Sequence, residues 1–429
     1  MKFMFAQVRL VRYLPLLLIV MTTIANALES DIKLLNKVDG KNNLIEQIQL
    51  NSRITQTTVG DRIRFTIPND RTLIFEINSI KDAYNNSKVI SARSDDNVSL
   101  LLTMDDKASF GSIRGDDINY NISHSKEMGQ ILVDQNNESF PNINLTNDAI
   151  IPPGMSAKSP GYLQMDLGRQ VDDQLARKDG GSVITIMVLY SNEFADGFSS
   201  PSARVNQLLA FTNQSFARSG INIELRLAHA QAFNFNNDTS VGTLLSQITN
   251  GSGSFSSVAA LRDKYGADMV ALLPFRSGFS SSGVAWVNGG NQRFAYSVTQ
   301  LSPNCCDSVF AHEIGHNLGS GHERASANPN QGSPCTFNFV DFACGHANTS
   351  NNWGTIMSAL NSARVNHVFS NPDLNCLGSP CGIAPGEVNE ADNRRAFNIT
   401  GPLVAAFRAS STTSALVTPI IDLILNEED

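Results

Sequence analysis

Cysteine and basic residues are scarce in this 429-residue chain. The six cysteines all come at or after Cys305, which excludes disulfide bonds and thiolate ligands from the first 304 residues. Lys and Arg number 32 against 40 Asp and Glu, a net charge of −8 that argues against nucleic acid as a partner. After residue 21 no apolar run approaches the ~20 residues of a membrane-spanning helix, so we expect no stable membrane anchor in the mature form.

The first 27 residues have the pattern of a secretory signal peptide. A positively charged start is followed by an apolar run too short to span a bilayer, and then by a small-residue cleavage site. These features are Lys2, Arg9 and Arg12, residues 14–21, and Ala25-Asn26-Ala27. We therefore expect export to the extracellular space or the periplasm, with a mature chain that begins near Leu28.

The length of the chain predicts two domains. Residues 28–178 hold short runs of alternating apolar and polar residues separated by turn clusters, a pattern that predicts a mostly antiparallel β domain. Examples are Ile63, Phe65 and Ile67; Leu73, Phe75 and Ile77; and Val98, Leu100 and Leu102.

Residues 179–408 alternate instead between strand and helix patterns. Val183–Tyr190 is almost continuously apolar, which predicts a central strand. Ser200-Pro201 is a helix start, and Gly220 is the expected end of that helix. Residues 409–429 form a tail, either a small docking strand or a disordered extension.

The strongest chemical pattern runs from His312 to His322. On a helix, His312 and His316 lie one turn apart on the same face, where two imidazoles can hold one tetrahedral Zn2+ ion. Gly319 allows the helix to stop and the chain to turn, so that His322 can return as a third ligand. Three protein ligands leave a fourth position for water, and Glu313 is placed to take a proton from that water.

A downstream Thr355-Ile356-Met357-Ser358 completes the resemblance that these residues carry. The chain resembles metzincin zinc endopeptidases of the reprolysin-like (adamalysin-like) kind, and more narrowly the secreted bacterial peptidyl-Asp metalloendopeptidases. The resemblance covers about residues 182–408. Two departures stand out: Glu323 replaces the usual Asp after the third His, and Ala359 stands where astacins carry a Tyr ligand.

The resemblance implies an α+β, α/β-type catalytic domain with a five-stranded mixed sheet, an active-site helix and a loop-rich lower subdomain. It implies that Met357 forms the turn beneath the metal. It also implies that Gly283, Val284, Ala285 and Trp286 pair with the substrate backbone by strand addition, although Val284 and Trp286 also suit ordinary sheet core. Arg364, in the segment that lines the pocket after the scissile bond, is the candidate cation for an acidic side chain, with a solvated surface Arg as the alternative.

Residues 28–178 resemble the propeptide that precedes such catalytic domains; a binding domain kept in the mature protein is the alternative. Because this region has no cysteine, inhibition by it must come from covering the cleft or from an oxygen or imidazole ligand. Lys178-Asp179 is a possible self-cleavage site if the enzyme cuts before acidic residues.

The cysteines predict disulfides in an exported protein. Proximity favours Cys335–Cys344 and Cys376–Cys381, which leaves the neighbours Cys305 and Cys306. A bridge between those two would be strained, and the alternative is that each bonds to a distant partner.

The sequence thus predicts a secreted zinc metalloendopeptidase, made as a proenzyme, that acts as a monomer on proteins or peptides and favours acidic residues after the scissile bond. Two alternatives stay open: an endopeptidase of broad specificity, and a non-enzymatic exported binding protein on the same scaffold. A calcium requirement is compatible with the sequence but not indicated by it.

Overall fold

A computed structural model describes most of the chain between residues 29 and 408. The predicted signal peptide, the Lys178-Asp179 step and the C-terminal tail lie outside the described residues. The described ranges are 29–37, 45–50, 52–115, 117–135, 148–153, 181–276, 282–288, 290–302, 307–324, 340–359, 364–365 and 367–408.

Nine strands of the described N-terminal part close into a barrel, because the first strand pairs with the second on one side and, in parallel, with the third on the other. The antiparallel β pattern is confirmed, whereas closure was not predicted. The strands are β1 Glu29–Lys37, β2 Ile45–Leu50, β3 Arg62–Ile67, β4 Arg71–Asp82, β5 Lys88–Ser94, β6 Ser99–Met104, β7 Ser109–Arg114, β8 Asn119–Ser125 and β9 Gly129–Asp134.

Alternation along the strands decides which side chains fill the barrel. In β3, Phe65 is buried while Arg64 points to solvent, as the pattern predicts. Strands β6 and β7 are buried on both faces. Leu100 and Leu102 belong to the barrel core, whereas Leu101 and Phe110 face outward into the core of the following domain. The barrel is therefore packed against its neighbour through apolar side chains.

A second sheet contains six strands among the described residues, one more than the five expected. Five come from residues after 181, and the sixth, Ala149–Ile150, comes from the N-terminal region and pairs in parallel with the edge strand Ser282–Trp286. The order in the sheet is β10-β14-β15-β13-β11-β12, with β10 Ala149–Ile150, β11 Ser182–Tyr190, β12 Ile223–Ala232, β13 Met269–Leu273, β14 Ser282–Trp286 and β15 Tyr296–Gln300.

Helices cover both faces of this sheet, which explains the continuous apolar run of β11. Ile186 and Val188 face one helical layer, and Met187 and Leu189 face the other. The helices are α1 Asn192–Gly197, α2 Pro201–Arg218, α3 Val241–Asn250, α4 Val258–Lys264, α5 Asp307–Asn317 and α6 Asn393–Val404.

Helix α2 begins and ends where the sequence predicts. The Ser200 hydroxyl accepts a hydrogen bond from the Ala203 amide, and Gly220 takes a positive φ of 71° just after the helix. One face of α2 packs on α5 and another on strands β6 and β7 of the barrel. This helix therefore connects the barrel to the helix that carries His312 and His316.

The part after α5 is rich in loops and short strand pairs, as expected. Cys376 and Cys381 form the predicted disulfide. Cys344 is disulfide-bonded as well, but Cys305, Cys306 and Cys335 lie outside the described residues. The short strands are β16 Ala347–Asn348, β17 Trp353–Gly354, β18 Arg364–Val365, β19 Asn375–Cys376 and β20 Ser379–Pro380.

In the described part of the chain, no helix combines the length and apolar character that crossing a bilayer requires.

Candidate metal centre

Helix α5 and the turn after it bring three imidazoles together. His312 and His316 lie one turn apart on α5 with ring centroids 4.6 Å apart. The helix ends at Asn317, and Gly319 takes a φ of 95°, which a side chain would disfavour. His322 returns to within 5.2 Å of the His312 ring and 4.9 Å of the His316 ring. The predicted convergence is therefore present, and all three rings are buried.

Backbone carbonyls determine which ring nitrogens face the centre of this cluster. His312 Nδ1 lies 2.6 Å from the Ile356 carbonyl, and His316 Nδ1 lies 2.7 Å from the Ser320 carbonyl. Because a carbonyl only accepts, each Nδ1 must carry the proton and donate it. The Nε2 lone pairs of both rings are then free for a metal, the arrangement that metal-binding histidines usually have.

Asp148 is the fourth member of the cluster, and the sequence analysis did not single it out. Its carboxylate oxygens lie 2.8 Å from His322 Nε2, 3.4 Å from His312 Nε2 and 3.6 Å from His316 Nε2. One donor atom from each of the four residues lies within 4.8 Å of every other. No motif spacing relates residue 148 to residue 312, so only the expectation of an oxygen or imidazole ligand from the N-terminal region pointed toward it.

The donor set fits a tetrahedral zinc ion. Ligands about 2.1 Å from such an ion are separated by about 3.4 Å, and His312 Nε2 and His322 Nε2 are 3.2 Å apart. His316 Nε2 and both Asp148 oxygens are buried without an aligned hydrogen bond in the described structure. Lone pairs that face each other across so short a distance repel, and a cation between them removes that repulsion.

The charges of this cluster perturb its titration. Burial lowers the pKa of His316 to about 4. Burial opposes ionisation of Asp148, but the facing His322 and His312 rings outweigh it and hold the pKa of the Asp148 carboxyl well below its usual range. The cluster therefore favours an ionised carboxylate beside neutral His316.

Glu313 lies beside the cluster, in the pocket that Gly283 of β14 leaves open. A Cβ atom at position 283 would come within 1.9 Å of Glu313 Oε1, so the absence of a side chain there makes room for the carboxylate. Both Glu313 oxygens are buried without a hydrogen-bond partner among the described residues. Burial, together with the Asp148 charge, raises the pKa of Glu313 well above its usual range.

Met357 packs beneath α5, where the resemblance places it. A Cβ atom at Gly315 would come within 2.3 Å of Met357 Sδ, so this helix position requires glycine for the close approach. Glu323, directly after His322, accepts a hydrogen bond from the Ala359 amide at 2.8 Å. The third histidine is thereby tied to the methionine turn through its neighbour.

The predicted substrate strand is β14, and the chain's own N-terminal region already pairs with it. The backbone of Ala285 contacts Asp148, whereas the side chains of Val284 and Trp286 belong to the sheet core. Trp286 Nε1 donates to Thr249 Oγ1 at 2.8 Å, which anchors the indole to α3. Arg364 falls in β18, but its side chain lies outside what the structure describes, so its predicted contact with an acidic side chain stays a prediction.

A buried three-histidine cluster with an adjoining glutamate, set at the edge of a mixed sheet, defines a metallopeptidase type of site. Residues 181–370 match the family model Reprolysin_5, described as metallo-peptidase family M12. This part of the chain is therefore similar in sequence to reprolysin-like metallopeptidases.

Two curated relatives match about half of the chain. A peptidyl-Asp metalloendopeptidase of Pseudomonas aeruginosa is 28% identical over 255 residues, which are 52% of this chain and 40% of that protein. A peptidyl-Asp metalloendopeptidase of Stenotrophomonas maltophilia is 29% identical over 246 residues, 54% of this chain and 55% of that protein. The chain thus spans about half the length of the relatives it matches, or less.

Solved structures give weaker likenesses. Metalloproteinase-II from Bacteroides fragilis superposes with a TM-score of 0.42 at 12% identity, over 73% of this chain and 88% of that one. A chaperone–substrate complex gives a TM-score of 0.41 at 14% identity, over 82% and 43%. Neither score is high enough to establish a common fold.

Proposed function

We propose that this protein is a zinc-dependent endopeptidase whose metal is held by His312, His316 and His322, with Glu313 as general base. The observation that carries the proposal is the convergence of three imidazole Nε2 atoms beside a buried glutamate that has no hydrogen-bond partner among the described residues. The similarity to metalloendopeptidases supports the same reaction class.

The mechanism follows from the positions of these groups. A zinc ion held by the three histidines supplies the Lewis acidity that activates water and polarises the scissile carbonyl. Glu313 accepts the proton of the attacking water at a carboxylate oxygen and then delivers it to the leaving amine. The Ile356 and Ser320 carbonyls hold the His312 and His316 rings in the required tautomer.

Two substitutions separate metal binding from proton transfer. We expect Glu313→Gln to keep one zinc per chain and to lose about 10²- to 10⁴-fold of peptide hydrolysis, since only the base is removed. His322→Ala should lose both zinc and hydrolysis. Metal analysis and a chelator-controlled caseinolysis assay on the processed enzyme measure these effects, with His346→Ala, outside the cluster, as the matched control. Full caseinolysis in Glu313→Gln would contradict the role of Glu313 as general base, whereas a processed parent protein without caseinolysis would support the non-enzymatic alternative.

The proposed specificity is for an acidic residue after the scissile bond. The support is the similarity to peptidyl-Asp metalloendopeptidases, and Arg364 is the candidate cation. A peptide library cleaved by the processed enzyme should show acidic residues enriched at that position, and Arg364→Ala should reduce the enrichment while keeping zinc. Equal cleavage of all peptides would support the broad-specificity alternative.

We further propose that the protein is exported and made as a proenzyme: a signal peptide at 1–27, a prosegment at 28–178, the protease domain at 179–408 and a tail at 409–429. Support comes from the leader pattern and from the contact of the N-terminal region with β14. N-terminal sequencing of the active form should find a start near Asp179; a start inside the barrel would contradict the proposed boundary.

A further inference from the structure

The segment Asp148–Ile150 occupies the edge of the sheet directly beside the three histidines. The Ala285 amide donates to the Asp148 carbonyl at 2.9 Å, and the Val287 amide donates to the Ile150 carbonyl at 2.8 Å. These two bonds use the exposed edge of β14, the edge that strand addition by a substrate would need. They also position the Asp148 side chain over the cluster.

The Asp148 carboxylate is almost completely buried, with 1% of the residue exposed. Its ion pairs within the described structure are with the three imidazoles. Removing an ionised carboxylate from water costs several kcal/mol unless an opposite charge compensates. A divalent cation held between the carboxylate and the three imidazoles, whose donor atoms lie within 4.8 Å of one another, provides such a charge.

We propose that Asp148 is the fourth ligand of the metal in the uncleaved chain, and that Asp148–Ile150 thereby closes the catalytic site. The inference rests on the proposed function, since it requires the ion held by His312, His316 and His322. A carboxylate oxygen is an accepted zinc ligand at about 2.0–2.2 Å. With that oxygen in the fourth position, the attacking water has no place to bind and Glu313 has no proton to accept.

The two contacts act together. The backbone bonds to β14 block the approach of a substrate strand, and the carboxylate fills the position that catalysis needs. The same strand edge and the same coordination position are therefore occupied by a piece of the chain that precedes the protease domain. The barrel contributes by holding this piece close, because β6 and β7 are packed against α2.

A spectroscopic experiment on the full-length chain tests the coordination directly. All variants carry Glu313→Gln so that no self-cleavage occurs, and each is loaded with Co²⁺ as a coloured substitute for zinc. Acetohydroxamate, a small chelating ligand, is then titrated while the visible spectrum is recorded. We expect no spectral change in the chain with Asp148. In Asp148→Ala and Asp148→Asn the spectrum should change saturably. Half-saturation in these two variants should come at a concentration at least ~tenfold below the highest concentration that leaves the chain with Asp148 unchanged.

Asp105→Asn in the same background is the matched control. Asp105 is also in the N-terminal region and accepts a hydrogen bond from the Ser200 hydroxyl, at the contact of barrel and α2, away from the cluster. It should behave like the parent chain. If Asp105→Asn opened the site as far as Asp148→Ala does, loosened docking would be the cause and the ligand assignment would be wrong.

Other outcomes are equally decisive. The proposal would be overturned if the parent chain bound acetohydroxamate as readily as both Asp148 variants. If Asp148→Ala does not load one Co²⁺ per chain, the comparison of the parent with Asp148→Asn alone is the test. Failure of the underlying metal site would look different: His322→Ala would then bind Co²⁺ as tightly as the parent, whatever Asp148 does.

Discussion

At the scale of single residues, two glycines determine how closely the parts of the histidine–glutamate site approach each other. Gly283 leaves the space for the Glu313 carboxylate, and Gly315 lets α5 rest on Met357. Neither has a positive φ, so the requirement is for space and not for backbone freedom. Gly283 was predicted to contact substrate through its backbone, and the structure adds this second reason for a glycine there.

The first residue-scale prediction concerns Gly283→Ala in the processed enzyme. The new methyl group must displace the Glu313 carboxylate, and a shift of about 1 Å in a catalytic group costs about 100-fold in rate. We expect a loss of that order in peptide hydrolysis with zinc content unchanged. Gly242→Ala, in a helical position with no atom within 4 Å of the new Cβ, is the control and should retain activity. Loss of zinc along with activity would point to a collapsed site instead.

The second prediction concerns Gly315→Ala. The added Cβ would lie 2.3 Å from Met357 Sδ, and overpacking of this kind lowers the free energy of unfolding by about 1–3 kcal/mol. Denaturant unfolding of the single variants and of Gly315→Ala with Met357→Ala forms a double-mutant cycle. The double variant should be less destabilised than the sum of the two single variants. Additive effects would show that the clash lies elsewhere.

At the scale of elements, α2 links the barrel to α5, the helix that carries His312 and His316, through a series of buried polar side chains. Thr103 of β6 donates to Gln207 of α2 at 2.7 Å, and Gln207 donates to Asp307, the first residue of α5, at 3.0 Å. Arg204 of α2 forms an ion pair with the same Asp307, and both side chains are less than 10% exposed. The N-terminus of α5 is thereby fixed against α2.

We therefore expect Arg204→Met to lower the free energy of unfolding by about 3–5 kcal/mol, because it leaves the Asp307 carboxylate buried without its cation. Arg226→Met is the matched control: Arg226 pairs with Glu224, but about half of each side chain is exposed, so the change should stay below about 1 kcal/mol. Equal effects of the two substitutions in chemical denaturation would contradict the structural role of the buried pair.

At the scale of the whole molecule, the barrel is attached by more than the connecting chain. Leu101 and Phe110 lie in the hydrophobic core that is formed mainly by residues after 181, and the Asn206 side chain donates to the Tyr84 carbonyl at 2.7 Å. Separation of the barrel would expose this apolar surface to water.

A single cut between residues 154 and 180 should therefore leave barrel and protease domain associated. We expect the two fragments to elute together in gel filtration and the peptidase activity to stay low until the barrel is degraded. An engineered protease site in this stretch makes the cut, and the same cut followed by mild denaturant serves as the control that releases the barrel. Elution as two separate species in native buffer, or full activity directly after the cut, would contradict this expectation.

Local patterns predicted much of the molecule correctly. The start and end of α2, the central strand β11, the helix that carries His312 and His316 and the Cys376–Cys381 bond all depend on neighbours in sequence. The convergence of His312, His316 and His322 was also predictable, because helix geometry and one glycine turn relate three residues only ten positions apart.

Contacts between distant residues were decided only by the tertiary structure. Barrel closure depends on the pairing of β1 with β3, and the sixth strand depends on Ala149 meeting Ala285. Asp148 is 164 residues before His312 (312 − 148), and no periodicity connects them. By itself, the sequence determined the metal-binding pattern and the elements that carry it, because these follow from short-range geometry. The contact of Asp148 with the three histidines was settled by tertiary packing, because the pairing of Ala149 with Ala285 brings a distant part of the chain beside them.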